Sequence, residues 1–406
     1  MGQKVCFLVT EHPFLDARIF KKEAKSLVRH GYDVTMIVPR RNGNLFAIDG
    51  RPFEDIFQSQ TFEYEGVNII TYEQIDYEKH LKRLHQTLAA TVPNGWTDAL
   101  IQLGIEQEAD IYHAHEFFSV YSGVEIKRTL AAKGNHCKLI YDSHELEPDP
   151  LSKESKSKKL LKEQLLKMMF KEIDHVITVS ESIQKWYQTI NPSLPIEIIY
   201  NSPPLAHKKL NNLKKTGDFV LAFEGVLGKK RGNAKKLFKL VEAANEQINL
   251  KVKIIGGWKR EEQTPFIPLH LKDKVLFTGW LKYDEIPFAM EDVDLGWIDL
   301  DSSRSLNHRF AMPNKFFSYL NNGVPVLINQ CDDMKQFIER YKCGYMVDKP
   351  QASAHDYAEA ILWLYSRRDD LKKMGINARK QMESAYSWEH MEKRLLGIYN
   401  HLCSVI

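Results

Sequence analysis

A chain of 406 residues, 43% of them hydrophobic, is long enough for two domains with cores of their own. Its 56 Lys and Arg against 53 Asp and Glu leave a formal charge of +3, a near balance that argues against a dedicated nucleic-acid binder. Five scattered cysteines (Cys6, Cys137, Cys331, Cys343 and Cys403) form no CxxC pair, so neither a disulfide framework nor a cysteine zinc site is indicated, and a reducing compartment fits. No stretch approaches the roughly 20 apolar residues of a membrane span. The apolar run at the N-terminus is short and interrupted for a signal peptide. A cytoplasmic protein is expected, soluble or peripheral on the inner face of the membrane.

KVCFLVT (4–10) reads as a buried strand, residues 15–30 as a helix closed by Gly31, and DVTMIVP (33–39) as the next strand, which together make a βαβ unit. The first strand-to-helix loop of an open α/β sheet lies at its carboxyl edge, where ligands bind. Here it carries Glu11, His12, Asp16 and Arg18. Asp16 and Arg18 either meet a ligand or cap and solvate the helix start. No GxGxxG is present, so a dinucleotide site has no support. Residues 41–66 are irregular, with room for one short strand, and VNIITY (67–72) is a strand. Residues 77–93 read as a helix, broken at NGW, with a second helix to about Gly104.

DIYHAHE (110–116) is a strand whose alternation sends His113 and His115 to one face, either as a packed pair or as chemistry at a strand end. KLIYDSHELEPDP (138–150) runs into a loop with Asp142, His144 and Glu145, carboxylates beside a histidine that suit acid/base work. Residues 152–172 form a lysine-rich helix with Leu160, Leu161, Leu165, Met168 and Met169 as its apolar stripe. Such a helix either faces the core or lies on anionic lipid. HVITVS (175–180) and IEIIYN (196–201) are strands around a helix that Ser180 caps.

Residues 201–218 read as a linker. FVLAFEGV (219–226) opens a second α/β pattern. The loop after it carries Gly225, Gly228, Lys229, Lys230, Arg231 and Gly232, which can bring backbone and cations to phosphate, although it is no Walker A motif. LKVKIIGG (250–257) ends in Gly256 and Gly257, where backbone can approach a ligand. KVLFTGWLKYDEIP (274–287) is a strand and turn, and DLGWIDL (294–300) another strand. In NHRFAMPNKFFSYL (307–320), Pro313 suits the first turn of a helix whose face is Phe316, Phe317 and Leu320. Gly323 ends that helix and VPVLIN follows as a buried strand. Asn307, His308, Arg309, Asn314 and Lys315 gather at the helix start, which is either an anion site or an ordinary surface start. Helices close the chain at 353–365, about 370–385 and 387–402.

Several of these stretches resemble glycosyltransferase family 4. NHRFAMPNKFFSYL with NNGVPVLIN resembles its nucleotide-sugar-binding segment. HPFLDARIFKKEAKSL, DIYHAHE, YDSHE, DHVITVSESI, EGVLGKKRG and VLFTGWLKYDEIP resemble others along nearly the full length. The resemblance implies the GT-B fold, an α/β architecture of two Rossmann-like domains facing a central cleft. Residues 1–202 would form the acceptor domain, with the last helix (387–406) packed back on it, and residues 203–386 the donor domain. The implied reaction moves a sugar from a nucleotide diphosphate sugar to an acceptor hydroxyl with retention, in cell-envelope, exopolysaccharide or other glycoconjugate synthesis.

The same resemblance implies roles. His115 would lie near the transferred sugar with Glu116 beside it, and Arg231 would meet the leaving pyrophosphate. Gly225, Lys229, Lys230, Gly256, Gly257, Thr278, Trp280, Leu281, Asn307, His308, Asn314, Lys315 and Ser318 would bind the donor. Asp16, Arg18, Asp142, His144 and Glu145 would shape the acceptor side. No metal or other cofactor is implied, and the acceptor would be a glycan, a lipid-linked sugar or a polymer. The chain departs from the pattern at Ser318, where a glutamate usually takes the donor's ribose hydroxyls, at Phe310, where many relatives are acidic, and at Val226, where many have arginine. These departures support a second reading, a degenerate GT-B protein that binds a nucleotide sugar or a partner enzyme without catalysis. A Ser318→Glu variant separates geometries: tighter donor binding supports the family arrangement, and no effect another one.

Overall fold

Short apolar strands alternate with longer periodic segments along this chain, and each strand buried on both faces needs helices above and below it. The computed structural model describes residues 2–54, 56–90, 98–206, 218–228, 232–258 and 267–405. The chain divides into two units, Met1–Ile199 with Glu392–Ile406, and Tyr200–Met391.

The first unit holds β1 (Lys4–Val9), β2 (Asp33–Arg40), β3 (Thr61–Tyr64), β4 (Val67–Glu73), β5 (Ile111–His115), β6 (Lys138–Ser143), β7 (His175–Thr178) and β8 (Ile196–Ile198). Their order is β3-β4-β2-β1-β5-β6-β7-β8. All neighbours are parallel except β3 and β4, which form a hairpin through Glu65 and Gly66, both at positive φ. β3 is the single short strand expected within 41–66. From β1 the chain goes first to β2 on one side and later to β5 on the other, so the carboxyl ends of β1 and β5 make a topological switch point.

The second unit repeats the plan with β9 (Phe219–Val226), β10 (Leu250–Gly257), β11 (Val275–Gly279), β12 (Leu295–Ile298), β13 (Val326–Asn329) and β14 (Gly344–Val347), all parallel, in the order β11-β10-β9-β12-β13-β14. Its switch point lies between β9 and β12. The register there is short: β9 pairs β12 only at Leu221–Leu295 and Ala222–Gly296, whereas it pairs β10 as far as Val226–Gly257. The last residues of β9 are therefore open on the β12 side. The α/β class with two Rossmann-like sheets is the architecture expected from the pattern.

The helix Phe117–Ala132 has no counterpart among the expected elements. It is buried around much of its circumference (Phe117 to Ile126 without a break), so it shows no amphipathic period to read. In the lysine-rich helix Lys156–Met169, the buried face is Lys162, Leu165, Leu166 and Met169, while Leu160 is 56% exposed. Lys162 turns inward to Glu78, Glu147 and Glu154. Among the described residues, no helix is long and apolar enough to cross a membrane.

A Cβ on Gly296 of β12 would sit 2.4 Å from the Tyr319 ring. Overpacking of this kind costs about 1–3 kcal/mol. Gly296→Ala is expected to lower the urea midpoint of unfolding at unchanged slope, and an unchanged midpoint would show that Tyr319 moves freely there.

Candidate functional site

In the first unit, the segment after the β1 loop is not the regular helix its periodicity suggests. Ile19–Ala24 winds in wide turns, with Lys21 N–H on Asp16 C=O at 3.1 Å and Glu23 N–H on Arg18 C=O at 2.9 Å, before Lys25–Arg29 continues as α-helix. The wider turn brings Arg18, Lys22 and Glu23 inward together, and all three are buried. Arg18 forks onto Asp142 at the end of β6, Nε to Oδ2 at 2.9 Å and NH2 to Oδ1 at 2.8 Å, and its NH1 donates to Ile199 C=O at 2.8 Å. Glu23 shares the same guanidinium at 3.0 Å. Two carboxylates on one cation are driven apart in acidity. Burial would raise Asp142, but Arg18, His144 and the hydrogen bond to His115 together outweigh it and hold Asp142 well below the carboxylate range. Burial and the Asp142 charge push Glu23 well above it. Burial and Arg18 lower Lys22 to about 7.

His113 and His115 stack at 4.4 Å between ring centroids, both fully buried. His113 Nδ1 meets the Tyr399 hydroxyl at 2.8 Å. His115 Nδ1 lies 3.5 Å from Asp142 Oδ2 and 3.4 Å from His144 Nε2. Burial lowers His115 to about 4, against the pull of Asp142.

Outside this buried layer stand His12, Glu116 and His144, partly exposed. Glu116 holds φ at 73°, a strained value for a non-glycine residue, at the turn from β5 into Phe117–Ala132. Its Oε1 is 3.2 Å from His12 Nε2 and 3.4 Å from His144 Nδ1. Burial opposes charge on His12, but the hydrogen bond to Glu116 and the charges of Asp16, Glu116 and Glu11 outweigh it and raise its pKa to about 9. Glu116 is correspondingly lowered, burial being overcome by His144 and His12. Two groups here could hold a metal, each with ligand atoms within 4.8 Å of one another: Glu23, His113, His115 and Asp142, and His12, Glu116 and His144. In the first, Arg18 already meets both carboxylates. In the second, His12 would have to shed the proton that its ion pair favours.

In the second unit, the helix Asn314–Asn321 begins at Pro313 with no side-chain cap, a start of the kind that can receive an anion. Tyr319 on this helix donates to Ala222 C=O at 3.2 Å and accepts from Glu224 N–H at 2.9 Å, which seals the free edge of β9. Lys315 from its first turn lies over the Phe223 ring, 4.3 Å from the centroid, and against Gly225, where an added Cβ would be 3.6 Å from Nζ. Gly225 and Gly256 sit side by side at φ 108° and 116°. A Cβ on Gly256 would be 2.5 Å from Gly225 C=O, so only glycine keeps this floor flat. At the neighbouring strand ends, Thr278 Oγ1 donates to Gly279 C=O at 2.9 Å and Trp280 Nε1 to Trp258 C=O at 3.4 Å.

Residues 17–203 match Glycosyltransferase Family 4, and residues 207–381 match Glycosyl transferases group 1. The chain belongs to the family 4 glycosyltransferases. Spore coat protein SA of Bacillus subtilis is 25% identical over 193 residues, 45% of this chain and 49% of that protein. The putative glycosyltransferase YtcC of the same organism is 22% identical over 259 residues, 56% of this chain and 60% of that protein. The chain thus spans about half to three fifths of the curated relatives it matches. Sucrose-phosphate synthase from Thermosynechococcus elongatus shares the fold at TM-score 0.68 and 13% identity, with 100% of both chains covered. HepE of Anabaena in complex with UDP does so at TM-score 0.65 and 16% identity, covering 98% of this chain and 100% of that one.

In this family 4 chain, the expected site residues of the second unit separate into three groups. Gly225, Gly256, Gly257, Thr278, Trp280, Asn314, Lys315 and Ser318 lie at the strand ends and the helix of the second unit, with Leu281 two residues past β11. Asn307 and His308 do not share the Asn314 helix start: they belong to a separate turn, Leu306–Arg309, where His308 Nδ1 meets Asp301 C=O at 3.1 Å and Arg309 pairs with Asp332 at 2.8 Å. Pro313 breaks the run, standing at the cap rather than inside the helix. Lys229, Lys230 and Arg231 lie outside the described residues.

In the first unit, Asp16 and Glu145 stay near the surface. Arg18 and Asp142 do not face a ligand, because their ion pair is buried, and His115 stands behind His144. Lys22, Glu23 and Glu224 were not singled out from the sequence. A charged residue near the end of the otherwise apolar run FVLAFEGV is the one available signal for Glu224.

The histidines set opposite pH limbs. His12 has a folded pKa of about 9 against 6.5 for the free side chain, so its stabilisation is complete below pH 6.5 and lost as pH rises through about 9. His115, lowered to about 4, loses its contribution as pH falls from 6.5 towards 4. Urea unfolding of His12→Gln should therefore show a flatter alkaline limb than wild type between pH 6.5 and 9, and parallel curves would refute the assignment.

Proposed function

We propose that this chain transfers a sugar from a nucleoside diphosphate sugar to an acceptor hydroxyl, with retention, in the synthesis of a cell-envelope, exopolysaccharide or other glycoconjugate. The observation that carries the reading is Lys315 Nζ lying against Gly225 beside the uncapped start of its helix, at the switch point of the second sheet. Cation, uncapped helix start and flat glycine floor are the components of a diphosphate site. HepE of Anabaena, which has the same fold, is known in complex with UDP and glucose.

In the reaction, the bond from the anomeric carbon to the diphosphate oxygen breaks, and the acceptor oxygen bonds to that carbon on the same face. Lys315 and the helix N–H groups take up the charge that gathers on the leaving diphosphate, with Lys229, Lys230 and Arg231 assigned to the same role. Glu116, kept ionised by His12 and His144, accepts hydrogen bonds from sugar or acceptor hydroxyls. A carboxylate with lowered pKa is a weak base, so the acceptor proton passes to the leaving phosphate oxygen. No metal enters this scheme. The acceptor is a glycan, a lipid-linked sugar or a polymer.

The test is release of nucleoside diphosphate from UDP-, GDP-, ADP- and CDP-sugars with a mixed glycan acceptor, with product anomers assigned by NMR. Turnover with one donor and a retained anomer is expected, and Lys315→Met should lower kcat/KM by about 100-fold or more. Binding without turnover by any donor would instead support the degenerate, non-catalytic reading motivated by Ser318 and Phe310.

A further inference from the structure

Glu224 stands one residue before Gly225 in a central strand whose other residues from Phe219 to Phe223 are apolar. A carboxylate at such a place is unfavourable unless its oxygens are bonded. Burial pushes its pKa up, while Ser318 on the facing helix and the charge of Lys315 draw it back. Its second oxygen, Oε2, is buried and has no hydrogen-bond partner. Its backbone is not free to swing away, since its N–H is held by the Tyr319 hydroxyl at 2.9 Å. The result is a carboxylate whose backbone is fixed and whose Oε2 is reserved, at the switch point of the sheet.

What fills the reserved position must donate a hydrogen bond, because a carboxylate only accepts. It is not phosphate, which the carboxylate repels and which Lys315 receives. A nucleoside diphosphate sugar carries uncharged, donor-rich groups on both sides of its diphosphate, and each side offers adjacent hydroxyls. Glu224 Oε2 and the Ser318 hydroxyl together make a two-point receptor for such a pair. We propose that Glu224 is a donor-binding residue that accepts hydrogen bonds from a vicinal diol of the nucleotide sugar, in place of a carboxylate at position 318. The inference rests on the donor-site reading above. It also reverses the expectation for Ser318→Glu: a second carboxylate there would confront Glu224 and weaken binding.

Calorimetric titration tests this with UDP, GDP, ADP and CDP, then with the 2′-deoxy form and the glucose conjugate of whichever binds wild type most tightly. Glu224→Gln should lower affinity about tenfold or more. If the ribose supplies the diol, the loss appears on the plain diphosphate, and the 2′-deoxy form binds wild type and variant alike. If the transferred sugar supplies it, the loss appears only on the glucose conjugate. Either pattern supports the proposal, as does weaker binding by Ser318→Glu. Should Glu224→Gln fail to fold, Glu224→Asp, which keeps the charge but draws it back by one methylene, reads the same loss. Folded Glu224 variants that bind every ligand as wild type does would overturn the proposal while leaving the donor site standing. Wild-type protein that binds none of the diphosphates would overturn the donor reading and this inference with it.

Discussion

Tyr319 is the point on which the second unit's strand ends depend. Its hydroxyl both donates to Ala222 C=O and accepts from Glu224 N–H, so one phenol satisfies two backbone groups of β9 where β12 stops short. Buried backbone groups without partners are costly, and this pairing fixes the Asn314–Asn321 helix against the strand. Lys315, Ser318 and the open helix start then fall beside Gly225 without further adjustment. The glycine pair beneath them keeps the backbone close, as a Cβ at either φ would be strained.

The first unit solves a different problem. Arg18, Glu23, Asp142 and two histidines are buried together, and buried charge is tolerated only when paired. The guanidinium fork on Asp142 supplies that pairing, and the wide turns of Ile19–Ala24 bring Glu23 onto the same cation. This layer acts as a foundation. It orients Asp142 towards His115 and His144, and His144 in turn shares Glu116 with His12. Residues available to a ligand, His12, Glu116 and His144, are therefore a second row held against the first.

Much of this was legible in the sequence. β9 and β10 have the expected ends, and the helix after Ser180 starts where cap chemistry places it. What was not legible has physical reasons. The helix Phe117–Ala132 is apolar on too many sides to show a period. The periodicity of 15–30 is compatible with both α and wider turns, and only the tertiary pairing of Arg18 with Asp142 selects the latter. The stripe of the lysine-rich helix shifts because Lys162 finds three carboxylates inside. At the donor site, the departure at Ser318 was visible, but the carboxylate facing it comes from residue 224, nearly a hundred positions earlier, and such pairing needs the fold.

If the carboxyl edge of the second sheet receives the diphosphate of the donor, the backbone there must respond when a diphosphate binds. Hydrogen exchange of the intact protein with and without a bound nucleoside diphosphate tests this most directly. Slowed exchange is predicted in residues 223–228, 255–257 and 314–319. Protection confined to the first unit, or bound nucleotide with no change at those three segments, would contradict it.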